Sequence, residues 1–149
     1  MAIFCTDAGH GGTDSGAAWQ NVLEKELNLR YVLAFNDELK KRGHQVWTTR
    51  KTDQHVPNLT TRCQLINAHH SQGTPKFDAI ISLHCDVAAY RSASSGRYMA
   101  NEAVRGFYAI YSRESIQGRD LAKSIANEAK GNGIAVKDGG KMTILIQNC

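Results

Sequence analysis

The run "IFCTDAGHGGTDSGA", residues 3–17, frames the rest of the chain. It begins apolar, Ile3 to Cys5, and empties into one histidine, two aspartates and four glycines. Three readings suit such a junction: a buried strand ending in a tight exposed loop, a phosphate cradle, and a metal site. The phosphate cradle is the weakest, because the loop has neither Gly-x-Gly-x-x-Gly spacing nor a Gly-Lys-Ser/Thr ending. The glycines let the backbone turn sharply and approach a metal or a substrate closely.

Outward from this run, strand and helix patterns alternate. Residues 2–6 read as a first strand. Residues 22–42 read as a helix in which Leu23, Leu27, Tyr31, Phe35 and Leu39 form one apolar stripe, ended by Gly43. "QVWTTR", 45–50, reads as a second strand, followed by a helix capped by Asn58 or Thr60 with Leu59, Cys63 and Ile66 on one side. "DAIISLHCD", 78–86, is a continuous apolar run of the kind found in a central strand covered on both faces. "GFYAIYS", 106–112, and "MTILIQ", 142–147, read as further strands. Between them Ser115 opens a helix with Leu121, Ile125 and Ala129 as its core face. Segments 51–57 and 87–105 read as polar connections, the second long enough to rim a cleft. The expectation is an α/β fold: one domain, with a mostly parallel twisted sheet of about five to six strands and helices on both faces.

The bulk numbers agree with a single compact domain. A chain of 149 residues, 42% hydrophobic and 21% charged, needs no staples to hold a core. Its net charge of +4 suits an acidic polymer or an anionic surface and falls short of a nucleic-acid footprint. No segment approaches the ~20 apolar residues of a membrane span. The N-terminus shows neither a charged n-region nor a long apolar h-region, so no signal peptide is expected. Cys5, Cys63, Cys85 and Cys149 have no Cys-x-x-Cys spacing and read as buried thiols.

Ligands of an open parallel sheet sit beyond the carboxyl ends of its strands. His10 follows the first strand, His84 ends the apolar strand, and Glu24 opens the first helix, which starts on the same edge. Two imidazoles and one carboxylate are a His₂Glu set of the catalytic-zinc kind. Each residue also has a plainer role. A histidine near a strand end is often a hydrogen-bonded loop residue, and Asn21 with Glu24 makes an Asn-x-x-Glu pair that would serve as a helix capping box. His44, His55, His69 and His70 are further candidates; the adjacent pair points in different directions on one helix and suits a surface better than a shared metal.

Five blocks, "DAGHGGTDSGA" (7–17), "EKELNL" (24–29), "VWTTRKTD" (46–53), "LTTRCQLINAH" (59–69) and "ISLHCD" (81–86), occur in order. Together they resemble the zinc-dependent N-acetylmuramoyl-L-alanine amidases of the Amidase_3 type, known from bacterial autolysins and phage endolysins. The resemblance covers nearly the whole chain. It implies a mostly parallel sheet of about six strands, zinc as cofactor, and ligands at His10, Glu24 and His84, with Glu26 as the fallback for Glu24. It implies hydrolysis of the amide between N-acetylmuramic acid and L-alanine in peptidoglycan, by a monomer made in the cytoplasm and acting on the cell wall, as a phage lysin does. Asp7 opens the motif and is expected to support the His10 loop. Asp86 stands where the family more often has asparagine. The family's glutamate base lies in a "PAVLVE"-like segment, and this chain ends at "TILIQNC", about where that segment would begin. The expected organisation is therefore an Amidase_3-like domain over 1–149 without the family's closing strand and helix. Asp14, Asp86 and Glu102 are the carboxylates available as a substitute base. The competing functions are a zinc-binding wall-binding relative without strong catalysis and a zinc exopeptidase.

Overall fold

A computed structural model describes residues 1–72 and 75–137. They divide into two compact units, Met1–Ala100 and the chain from Asn101 onward.

The first unit is built on strand β1, Ile3–Ala8, flanked by β4, Gln45–Thr48, and β5, Ala79–Leu83. Both neighbours pair with β1 in parallel, giving the order β4-β1-β5. A short antiparallel hairpin, β2 (Ala18–Trp19) with β3 (Val22–Leu23), precedes helix α1, Glu24–Lys41. Helix α2 is Leu59–Ser71. Residues 87–105, expected as loop, carry a second hairpin, β6 (Ala89–Arg91) with β7 (Tyr98–Ala100).

Side chains alternate across a strand, so β1 reveals which helix covers which face. The Thr6 hydroxyl donates to Asn36 of α1 at 2.7 Å, whereas Asp7 accepts from Arg62 of α2 at 3.0 Å. Adjacent residues thus meet different helices, and the helices lie on opposite faces of the sheet. Trp47, in register with Cys5 on the α2 side, packs against Phe77 and against His69 of α2. The His69 ring stacks on Phe77 at 4.1 Å, an aromatic packing role.

The helix faces differ from their expected stripes. In α1 the buried residues are Glu24, Asn28, Val32, Asn36 and Leu39, while Tyr31 is exposed. In α2, Arg62 and Ile66 are buried and Leu59 is exposed. The cause is local. The loop leaving β1 presents backbone carbonyls to both helices, and those acceptors draw in amide and guanidinium donors where an aliphatic residue would leave them unpaired. The helix ends follow their sequence signals more closely. Asn58 accepts from the Thr61 amide at 2.8 Å, and Gly43, at φ 80°, supplies the left-handed residue that ends α1.

In the second unit, helix α3 is Ile116–Gly131, capped by Ser115, whose hydroxyl oxygen accepts from the Gly118 amide at 2.9 Å. Ala122 is its buried residue, and Leu121 and Ile125 are exposed, against expectation. The strand expected over 106–112 reduces to one parallel bridge, Phe107 with Val136. The strand expected at 142–147 lies outside the described residues. Cys5 and Cys85 are free thiols. Cys63 is disulfide-bonded rather than free, and Cys149 lies outside the described residues. No described helix is long and apolar enough to cross a membrane.

Candidate metal centre

The carboxyl ends of β1 and β5 lie side by side, and the Gly9 amide extends their pairing by donating to the Leu83 carbonyl at 3.1 Å. His10 and His84 leave the sheet just beyond this point. Glu24 reaches the same place from the first residue of α1. One ligand atom from each of the three lies within 4.8 Å of the others. Glu24 sits between the imidazoles, with Oε2 3.3 Å from His10 Nε2 and Oε1 2.9 Å from His84 Nδ1. The rings meet edge to face at 4.9 Å between centroids. The Glu24 side chain is 2% exposed, while those of His10 and His84 are 26% and 45% exposed, so the cluster has a buried floor and an open rim.

Glu24 does not cap its helix. The N-cap is Leu23, with no side-chain cap bond, and the first helical amides are satisfied by loop carbonyls, Glu24 N–H by Ala17 and Lys25 N–H by Ser15. The carboxylate instead accepts from the Ala17 and Cys85 amides and from the Asn28 side chain. Burial would raise its pKa, but these hydrogen bonds and His84 outweigh burial and hold it below the usual value. Glu26, the fallback, is exposed.

Two glycines make the close approach possible. A Cβ on Gly9 would stand 2.2 Å from the His84 ring, and a Cβ on Gly16 would stand 2.5 Å from the His10 ring and 2.7 Å from Glu24 Oε2. His10 itself is left-handed, at φ 59°, an uncommon conformation that persists where surroundings enforce it.

Buried cations do the enforcing. Arg50 donates to the carbonyls of Ala8, Gly9 and Lys25. Arg62 donates to those of Ala8, His10 and Pro57 and to Asp7. Asp7 also accepts from the Thr49 and Ser82 hydroxyls. Its support of the His10 loop therefore runs through Arg62. Lys25 bridges the Gly12 carbonyl to Asp53, and Asp53 accepts from the Gly12 amide. Burial and the neighbouring Arg62 lower the Arg50 pKa, opposed by Asp53 and Asp7. The periodic pattern does not mark Arg50 and Arg62; their sequence signal is membership of the blocks "VWTTRKTD" and "LTTRCQLINAH".

The remaining candidates are not among the three clustered residues. His44 accepts from the Ala2 amide and packs against Phe4. Asp14 is bonded to His10 and to the Gly16 amide. Asp86 is exposed, two residues past His84, and Glu102 belongs to the second unit. Burial pushes the Cys5 thiol up to about 12, and burial with the charges of Glu24 and Asp86 raises that of Cys85. Neither cysteine is poised as a thiolate ligand.

Three carboxylates of this region have lowered pKa values: Glu24, for the reasons given; Asp14, chiefly by its bond from His10; and Asp53, chiefly by its bond from Lys25. A depressed folded-state pKa means that the unfolded chain binds the proton more readily. The stability they lend is full above the ordinary values of 4.5 for Glu24 and 3.8 for the aspartates, and is lost as pH falls below them. Thermal melts of the metal-free chain should hold steady from neutrality into mild acid and then decline. A melting temperature that rises on acidification through this range would contradict the assignment.

Fold and cluster define an α/β protein with two histidines and one carboxylate, a group that could hold a metal ion, at the carboxyl edge of a parallel sheet. The chain belongs to the Amidase_3 family, described as N-acetylmuramoyl-L-alanine amidase, which matches residues 5–143. It is 30% identical over 121 residues to the germination-specific N-acetylmuramoyl-L-alanine amidase of Bacillus subtilis (strain 168), covering 68% of this chain and 48% of that protein. It is 29% identical over 96 residues to the uncharacterized protein YqiI of the same organism, covering 64% of this chain and 43% of that protein. The chain thus spans about half the length of these curated relatives. Its structure is similar to N-acetylmuramoyl-L-alanine amidase AmiC2 of Nostoc punctiforme, with a TM-score of 0.70 at 24% identity, covering 91% of this chain and 66% of that one. It is similar also to Ami1 of Mycobacterium smegmatis, with a TM-score of 0.72 at 18% identity, covering 96% and 73%. At these identities the likeness shows the fold.

Proposed function

We propose that this chain is a zinc-dependent hydrolase that cleaves the amide between N-acetylmuramic acid and L-alanine in peptidoglycan, acting on the cell wall as a monomer. The convergence of His10, Glu24 and His84, in a chain of this family, carries the reading. The donor set fits zinc: two imidazole nitrogens and one carboxylate oxygen leave a position open, and the exposed rim lets a substrate reach it. Once bound there, zinc would supply a Lewis acid and lower the pKa of a water. The protein's own part is to fix the ligands. Glu24 is held ionised by three hydrogen-bond donors, the Ala17 and Cys85 amides and the Asn28 side chain, and the glycine loop keeps bulk away from the imidazoles.

Hydrolysis adds the water oxygen to the carbonyl carbon, breaks the C–N bond and delivers a proton to the leaving amine. A positioned carboxylate is the usual shuttle. Asp86, exposed and two residues past His84, is the first residue to vary.

The test is dye release from labelled cell walls, with and without chelator, for the wild type and His84→Ala. The reading expects metal-dependent release of stem peptides with free L-alanine N-termini, and loss of both zinc and release in the variant. Wall binding without release would instead support a non-hydrolysing relative. Cleavage of free peptides alone would mark an exopeptidase.

A further inference from the structure

We infer that Asp14 is a positioning residue for the metal centre, which presents His10 to the ion through its Nε2 by holding the proton on Nδ1. This rests on the reading of His10 as a metal ligand.

The loop is folded to bring Asp14 back. Gly11 and Asp14 exchange two backbone bonds, Gly11 N–H to the Asp14 carbonyl at 2.8 Å and Asp14 N–H to the Gly11 carbonyl at 3.1 Å. The reversal between them uses left-handed Gly12, at φ 59°. It places the Asp14 side chain beside the imidazole four residues earlier. The two carboxylate oxygens then divide their work. Oδ1 accepts from the Gly16 amide at 3.0 Å, which fixes the carboxylate plane, and Oδ2 stands 2.8 Å from His10 Nδ1.

The His10 ring is thereby gripped at opposite ends. Nδ1 faces Asp14, and Nε2 faces Glu24 Oε2 at 3.3 Å, inside the ligand cluster. A neutral imidazole has one donor and one acceptor nitrogen. An ionised carboxylate can only accept, so with an ion in the cluster Asp14 takes the hydrogen on Nδ1 and leaves the Nε2 lone pair toward the ion. Outer partners of this kind orient a ligating histidine and raise its basicity. The Asp14 side chain is 67% exposed, so solvent screens its charge, but screening does not alter the direction of the hydrogen bond.

Two variants separate positioning from loop support. Asp14→Ala removes the acceptor. Asp14→Asn keeps an acceptor oxygen for Nδ1–H and loses the charge. Zinc affinity is measured by competition with a chelator, apo stability by thermal melting, and the tautomer by imidazole 15N shifts of the zinc-loaded chain. In the wild type, His10 should carry its proton on Nδ1. In Asp14→Ala that preference should fade and zinc should bind about 10–100-fold more weakly. Asp14→Asn should keep the tautomer and recover most of the affinity. Unchanged zinc affinity in Asp14→Ala would overturn the proposal. So would a lowered apo melting temperature with the tautomer intact, because Asp14 would then be only a loop brace. A wild-type chain that takes up no zinc would overturn the metal centre itself; in that case neither variant would differ from it in the titration.

Discussion

Glu24→Gln should abolish stoichiometric zinc binding, a larger loss than the roughly 10–100-fold expected when only an outer partner of a ligand is removed. The substitution keeps size and shape, so the reason is chemical. Both oxygens of Glu24 accept, Oε2 from the Ala17 amide and Oε1 from Cys85 N–H and Asn28 Nδ2–H. An amide NH₂ in either place would face an N–H donor. The variant therefore loses its anionic ligand atom and also gains a buried donor–donor conflict, which costs about 1–3 kcal/mol in the apo protein. Both effects should appear: zinc loss by elemental analysis, and a lower apo melting temperature. A capping role predicts something else, a cost of about 0.5–2 kcal/mol with zinc affinity intact. Retention of full zinc in Glu24→Gln would remove Glu24 from the ligand set. His69→Ala serves as the control, because His69 stacks on Phe77 away from the cluster, and its zinc content should not change.

The contrast between ligand and cap also shows what the sequence could reveal. The junction at Leu83 before His84 is legible because the strand ends where its apolar run meets a polar residue; the first strand reads as 2–6, whereas β1 runs on through Thr6 and Asp7 to Ala8. Parallel pairing of those strands then put His10 and His84 on one edge without further information. Glu24 was legible as a residue but not as a role, since Asn21 stood at capping distance. The three-dimensional fact that removes the cap reading is the short β2–β3 hairpin, which makes Leu23 the N-cap. The helix faces were misread for a related reason. Periodicity marks apolar side chains, and the buried seams here include Glu24, Asn28 and Asn36 beside Val32 and Leu39 on one helix, and Arg62 beside Ile66 on the other. Those residues answer backbone carbonyls and polar side chains contributed by another segment, which no local window contains. The second unit was read least well. Leu121 and Ile125 were assigned inward by spacing alone, and Phe107 forms a single bridge where a strand was expected.

Arg62→Met should destabilise the chain by about 3–5 kcal/mol, the cost of breaking a buried ion pair from one side. Methionine matches much of the volume, so the loss is not chiefly a cavity. Arg62 is buried on the helix, and its guanidinium binds Asp7 together with the Ala8, His10 and Pro57 carbonyls. Removing it leaves those acceptors with fewer donors and takes the ion-pair partner from the Asp7 carboxylate, 14% exposed, which keeps the Thr49 and Ser82 hydroxyls. Neutralising the aspartate as well should recover part of the loss, so Asp7→Asn combined with Arg62→Met should be less unstable than the sum of the single changes. Urea unfolding of the two single variants and the double variant measures that coupling. The same network predicts a second effect at the metal centre. The His10 carbonyl is one of the Arg62 acceptors, and His10 is held left-handed at φ 59°. Freed of that bond, the backbone can relax toward the right-handed region, which swings the imidazole away from Glu24. Zinc affinity should therefore fall in Arg62→Met even at temperatures where the variant is fully folded. Additive single and double variants with unchanged zinc affinity would mean that Arg62 merely fills space on α2, and that the left-handed His10 is enforced from somewhere else.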